Sequence, residues 1–215
     1  MANPAIRRLT FPSGDLTLEG VLHLPASTPA AGAVPAAGAV VCHPHPQYGG
    51  DMHNNVVLAA CTALTGRGYA ALRFNVRGVG GSEGEYEQDP GHADDVRAAL
   101  AHLASLPEID ATRIGLIGYS SGAMAAAEAA SGELRALALI APPVAHADLR
   151  VAWGCPALLL AGGQDSFAPE DRLRVVAEAP GVELEIVPDA DHFWAGFESA
   201  IGEALGGFFE RHFQE

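Results

Sequence analysis

Three side chains of the 215-residue sequence have the types and the chain order that nucleophilic acyl chemistry needs: Ser120, Asp165 and His192. Ser120 is the centre of Gly118-Tyr119-Ser120-Ser121-Gly122, a G-x-S-x-G pentapeptide between an apolar run and the small residues Ala123 to Ala130. That is the context of a nucleophile elbow, a sharp strand-to-helix turn that lifts a hydroxyl clear of the backbone. Only tiny neighbours let strand and helix approach so closely. The same turn aims the amide of Ser121 and the positive helix end at a developing oxyanion. Ser121 is the competing hydroxyl, but its place after the apex suits an amide donor.

A serine hydroxyl is a weak nucleophile until an oriented base takes its proton. After the pentapeptide the histidines are His146, His192 and His212. His212 lies in a C-terminal helical pattern, and His146 would have to precede the acid. His192, in the segment Pro188 to Trp194, follows the last strand pattern and reaches the sheet edge that carries Ser120. Asp165 ends Gly162-Gly163-Gln164-Asp165 and reaches the same edge. It is favoured as the acid over Asp189 and Asp191, whose closeness to His192 suits turn formation.

Those residues need a scaffold, and the hydrophobic pattern supplies one. Arg7–Phe11 and Leu16–Leu24 flank Ser13-Gly14-Asp15, a plausible hairpin turn. Nearly continuous apolar runs at Ala39–Cys42, Ala70–Val76, Ile114–Tyr119, Ala136–Ile140, Ala157–Ala161 and Leu184–Val187 suit strands covered on both faces. Helical patterns lie between: Val96, Leu100 and Leu103 after Asp94; a helix opened by Pro169, Glu170 and Asp171; and Phe197, Ile201, Leu205 and Phe208. The order βββαβαβαββαβα, with room for a short helix between the sixth and seventh strands, predicts a three-layer α/β/α sandwich on an eight-stranded, mostly parallel sheet. Residues 1–215 are expected to form one domain.

Before the third strand, Pro29–Val34 is repeated as Pro35–Val40. Two copies make no solenoid, so the first copy reads as a surface-loop insertion. Every one of the twelve basic residues is arginine, and the net charge of −14 argues against nucleic acid or anionic membrane as partners, since both need a basic surface. No apolar run reaches the ~18 residues of a spanning helix, and no secretory leader pattern is seen. Cys42, Cys61 and Cys155 form no C-x-x-C pair and suit a reducing compartment, so a cytoplasmic monomer or homodimer is expected.

The strand order, G-Y-S-S-G, G-G-Q-D and D-H-F together resemble the α/β-hydrolase superfamily over nearly the whole chain. The segment from His43 to Asn55 is similar to that of small, lidless hydrolases of the dienelactone-hydrolase-like and short-chain esterase kind. Dienelactone hydrolases use cysteine where this sequence has Ser120, so the resemblance implies a serine carboxylesterase. Such an enzyme is expected to act on a small-molecule ester and to need no cofactor. Thioesterase, lactonase, peptidase and a non-catalytic binding module on the same fold are the competing readings. The family's H-G-x-P segment matches His43-Pro44-His45-Pro46, which implies the backbone N–H of His45 as second oxyanion donor, with Gln47 or Tyr48 as alternatives. Pro44 and Pro46 have no N–H to give. A rival reading of His43, His45, Asp51 and His53 is a metal site. Asn75 to Gly84 lacks both the lysine and the spacing of a phosphate cradle and reads as a tight loop at the rim. Only residues 141–155 separate the sixth and seventh strands, too few for a lid domain. The pocket is therefore expected to be a shallow cleft walled by Tyr48, Tyr119, Phe167 and Trp194, with Phe193 the aromatic best suited to the core.

Overall fold

The computed structural model describes residues 5–26, 34–86, 91–149 and 152–214. The first hexapeptide copy, apart from Val34, lies outside the described residues. Strands β1 (Ala5–Ser13) and β2 (Leu16–Leu24) form a hairpin paired from Ala5↔Leu24 to Ser13↔Leu16. Then come β3 (Ala36–Cys42), a 3-10 turn (Pro46–Tyr48), α1 (Asn55–Gly66), β4 (Ala70–Phe74), α2 (Gly91–Ser105) and β5 (Ile109–Tyr119). The chain continues through α3 (Ser121–Ala129), β6 (Ala136–Ile140), β7 (Ala157–Gly162), α4 (Glu170–Val176), β8 (Val182–Val187) and α5 (Glu198–Phe213).

One eight-stranded sheet runs in the order β1-β2-β4-β3-β5-β6-β7-β8. β2 meets β4 antiparallel, and from β4 to β8 all neighbours are parallel. Parallel strands deliver their C-terminal ends to one edge, which is where loops can gather side chains from far apart in sequence. β4, β6 and β7 are wholly buried along their length, which accounts for the unbroken apolar runs of β6 and β7 and leaves Arg73 of β4 as a buried charge bonded to His23 and Met52. β8, at the sheet's end, alternates Val182, Leu184 and Ile186 with the exposed Glu183 and Glu185. Helices α1 and α5 pack together, as do α2 and α3. Gly115 of β5 leaves space for the rings of Phe209 and Phe213 of α5, where a Cβ would press on both.

Several strand boundaries differ from the sequence pattern by one or two residues, β4 ending at Phe74 and β8 beginning at Val182, and two differ by more. β3 begins within the second hexapeptide copy, and β5 begins at Ile109, because Ala36 pairs with Ile109 ahead of a register shift at Gly38. Cross-strand pairing extended both strands beyond their most apolar residues. The short helix expected between β6 and β7 is not formed among the described residues; that connection is turns and extended chain. Among the described residues no helix is long and apolar enough to cross a membrane.

Candidate active site

Ser120 stands between β5 and α3 with φ 55° and ψ −120°, a left-handed backbone that an L-residue adopts only under constraint. The constraint is close packing. A Cβ at Gly118 would overlap Gly122 and Ala123, and a Cβ at Gly122 would strike the carbonyl oxygens of His43 and Cys42. The elbow is thus pressed against the end of β3. The Ser120 amide donates to the Ile140 carbonyl at 2.9 Å, which ties the turn to β6 as well. The amide of Ser121 opens α3, where no preceding turn offers it an intrahelical acceptor.

Asp165 and His192 arrive on the loops after β7 and β8. A Cβ at Gly162 would overlap the Ala190 carbonyl, and one at Gly163 would lie 2.5 Å from the Pro188 oxygen, so only glycines let these loops touch. The Gln164 amide donates to Ala190 O at 2.9 Å. The Asp165 carboxylate is fully buried and divides its oxygens. Oδ1 accepts from the amides of Phe167 at 2.8 Å and Ala168 at 3.1 Å, and Oδ2 lies 2.8 Å from His192 Nδ1. Across the ring, His192 Nε2 is 3.0 Å from Ser120 Oγ. A carboxylate, an imidazole and a hydroxyl therefore form one hydrogen-bonded chain. Asp191 Oδ1 instead accepts from the amides of Phe193 and Trp194, the turn-forming part expected of it.

The segment after β3 takes shape around His43 and His45. His43 Nδ1 donates to Pro44 O at 2.7 Å, and Nε2 accepts from the Val76 amide at 3.2 Å. Burial lowers its pKa to about 4, the Pro44 bond opposing only in part. With both nitrogens engaged, His43 has no lone pair for a metal. Among the described residues no group of three or more His, Cys, Asp or Glu is arranged to hold one. His45 caps the 3-10 turn through Nδ1, and its Nε2 lies 3.4 Å from the Tyr86 hydroxyl. Its own amide has no acceptor among the described residues. The amides of Gln47 and Tyr48, the two alternatives, are turned back onto His45 itself. The glycine-rich turn after β4 is bonded to β2 through Glu19, and Gly78 makes room for the Tyr86 backbone.

The aromatic residues fall differently from expectation. Trp194 is wholly buried, Phe193 is 64% exposed, and Tyr48 stands in solvent with its ring against His45. Tyr119 is buried, and its hydroxyl donates to the His192 carbonyl at 2.7 Å. Burial, then the charges of Asp165 and Asp191, push its phenol pKa upward. Phe167 alone of the four sits over the site, its centroid 4.6 Å from that of His192. A cleft of about 460 Å³ lies instead beside Ser121 and His45, lined also by Tyr86, His92, Met124 and Leu149. Sequence reasoning missed those four because they come from separate segments with no shared motif.

A family model described as X-Pro dipeptidyl-peptidase (S15 family) matches residues 21–157. The chain belongs to this family, within the α/β-hydrolase superfamily. An uncharacterized protein of Rickettsia prowazekii is 34% identical over 185 residues, 79% of this chain and 77% of its own. Among solved structures, an α/β serine hydrolase without lid from Xanthomonas campestris is 31% identical with a TM-score of 0.82, covering 98% of this chain and 95% of the other. An α/β serine hydrolase homologue from Coxiella burnetii is 30% identical with a TM-score of 0.81, covering 96% and 97%. Like the Xanthomonas protein, this α/β-hydrolase has no room for a lid domain between β6 and β7, which only residues 141–156 separate. The family match ends before Asp165 and His192, so the parts these two play rest on their geometry.

Proposed function

We propose that the protein is a serine carboxylesterase acting on small esters with compact acyl groups, with Ser120 as nucleophile, His192 as base and Asp165 as the orienting acid. The observation that carries this reading is the unbroken chain Asp165 Oδ2–His192–Ser120 Oγ ending on a strained elbow. As Oγ attacks the acyl carbon, its proton passes to His192 Nε2, while Nδ1–H stays bonded to Asp165 and the imidazolium is stabilised. The carbonyl oxygen becomes an oxyanion facing the amides of Ser121 and His45, donors fixed in place before the charge develops. Collapse breaks the bond to the alcohol oxygen, which leaves with the Nε2 proton. Water then repeats the sequence on the Ser120 ester and releases the acid.

The family match favours a second reading, amide cleavage after an X-Pro dipeptide, by the same machinery. A panel of p-nitrophenyl esters, acyl thioesters and Gly-Pro p-nitroanilide, with Ser120→Ala as blank, separates the two. Esters should dominate kcat/KM. A preference for the anilide would replace the esterase reading, and failure of a fluorophosphonate to label Ser120 stoichiometrically would end both.

A further inference from the structure

We infer that the cleft beside Ser121 and His45 is the acyl subsite, and that it selects planar, uncharged aromatic acyl groups over straight alkyl chains of similar size. The inference rests on the serine-esterase reading and names the substrate class for the same site.

Direction decides which half of an ester enters the cleft. His192 Nε2, 3.0 Å from Ser120 Oγ, must hand its proton to the leaving oxygen, so the alcohol half lies on the histidine's side, where Phe167 covers the ring. The oxyanion points at the amides of Ser121 and His45. Of the substituents on the tetrahedral carbon, only the acyl group then remains. The cleft is lined by Ser121 and His45 and by neither His192 nor Phe167, so it meets that remaining direction.

Its walls decide the class. On one side three rings form a continuous set: His45 and Tyr86 meet edge to face with centroids 5.4 Å apart, and Tyr86 and His92 stack at 4.6 Å. The helix α3 contributes Met124 and Ala125, and Leu149 of the β6–β7 connection completes the lining. Ring edges and a thioether make favourable contacts with an aromatic face. Burial holds His45 towards its neutral form and the Tyr86 phenol away from its anion, so neither of these two rings brings a charge to attract an ion. A flat ring entering such a slot loses no internal rotors, whereas an alkyl chain must be ordered methylene by methylene. The volume, about 460 Å³, lies in the range of small-molecule pockets. The exposed carboxylates of Glu128 and Asp148 stand at its margin in a chain of net charge −14. They repel an acyl group ending in a carboxylate.

The test uses p-nitrophenyl acetate, butyrate, hexanoate, benzoate and monosuccinate, which share one leaving group. Each kcat/KM is divided by the same ester's rate with hydroxide, to remove intrinsic reactivity. The normalised benzoate value should exceed hexanoate, and butyrate should exceed monosuccinate, each by about tenfold, the scale on which pocket contacts discriminate. Met124→Trp, which fills the slot, should lower the benzoate-to-acetate ratio by about tenfold. Leu149→Ala, which widens it, should raise the hexanoate-to-acetate ratio by about threefold or more; it serves if the tryptophan variant does not fold. Benzoate at or below hexanoate, or ratios unmoved in every folded variant, would overturn the inference while leaving an esterase that hydrolyses acetate and takes up fluorophosphonate. Loss of both of those reactions in the wild-type protein would bring down the esterase reading, and the acyl subsite with it.

Discussion

The turn that carries Ser120 and the loop that carries His192 both contain a non-glycine residue forced to positive φ, Ser120 at 55° and Trp194 at 59°. They are held there by different means. At the elbow the restraint is main chain against main chain, with Gly118 and Gly122 admitting carbonyls where any side chain would collide. In the histidine loop the restraint is side chain against main chain: Asp191 accepts two amides, Tyr119 grips the His192 carbonyl, and Trp194 is sunk in the core. A backbone restraint fails all at once, while a side-chain restraint can be loosened one bond at a time. Ser120 should therefore tolerate almost no change around it, and the setting of His192 should be tunable.

The largest effect to be expected breaks the hydrogen-bonded chain that joins the two regions. Ser120→Ala or His192→Ala should lower kcat by about 10⁴-fold or more, because such residues act as a unit. Asp165→Asn should also be severe, about 10³-fold or more, since it favours the wrong tautomer of the base. Steady-state kinetics on p-nitrophenyl butyrate measure all three. Near-normal turnover in Asp165→Asn alongside an inactive Asp191→Asn would move the acid to the other loop.

Gly122→Ala probes the elbow directly. Its new methyl meets the backbone of His43 and Cys42, which cannot swing aside as a side chain would. Chemical denaturation should show a loss of about 3 kcal/mol or more, at the severe end for point changes. A variant as stable as wild type would mean that the turn relaxes, contrary to the comparison drawn above.

The support beneath the elbow is also pH-sensitive. His43 has its pKa lowered by burial to about 4, below the ordinary 6.5, so the unfolded chain binds the extra proton first. Stability due to this group is complete above pH 6.5, falls as pH drops through the window from 6.5 to 4, and changes no further below it. The loss across that window amounts to about 3 kcal/mol at most. Denaturation midpoints measured at intervals from pH 7 to pH 4 should trace it, and a flat profile would show that His43 is already charged or already exposed.

Tyr119→Phe is the mildest test and sharpens the contrast most. It removes one hydroxyl from the His192 carbonyl and nothing from the elbow's backbone. A neutral hydrogen bond is worth about 1 kcal/mol, so kcat should fall about fivefold with KM unchanged. An equal change in KM would place Tyr119 against substrate instead of behind the base.

How far these regions were legible in the sequence follows from the same distinction. Backbone-made features leave a local signature. G-Y-S-S-G and G-G-Q-D could be recognised because the glycines are where the packing demands them, and the buried strands because each is a continuous apolar run. Features made by side chains from distant segments leave none. Nothing near Trp194 says that its ring is core while Phe193 faces solvent, because alternation in an irregular loop follows no period. Tyr119 read as a pocket wall because its clamp partner is 73 positions away. The cleft residues Tyr86, His92, Met124 and Leu149 converge only once α2, α3 and the β6–β7 connection are in place.

The brevity of that connection has a consequence for the fate of the acyl group. A cap over an acyl-enzyme screens it from solvent and chooses which molecule may attack it. Here residues 141–156 carry no helix among those described, and the cleft lies open beside Ser121. If Ser120 carries the acyl group as proposed, water would reach that ester unfiltered, and so would any alcohol or amine dissolved with it. On the proposed mechanism the partition between hydrolysis and acyl transfer would then be governed by what the surrounding solution contains, and a nucleophilic cosolvent should divert turnover from hydrolysis to transfer without any change in structure.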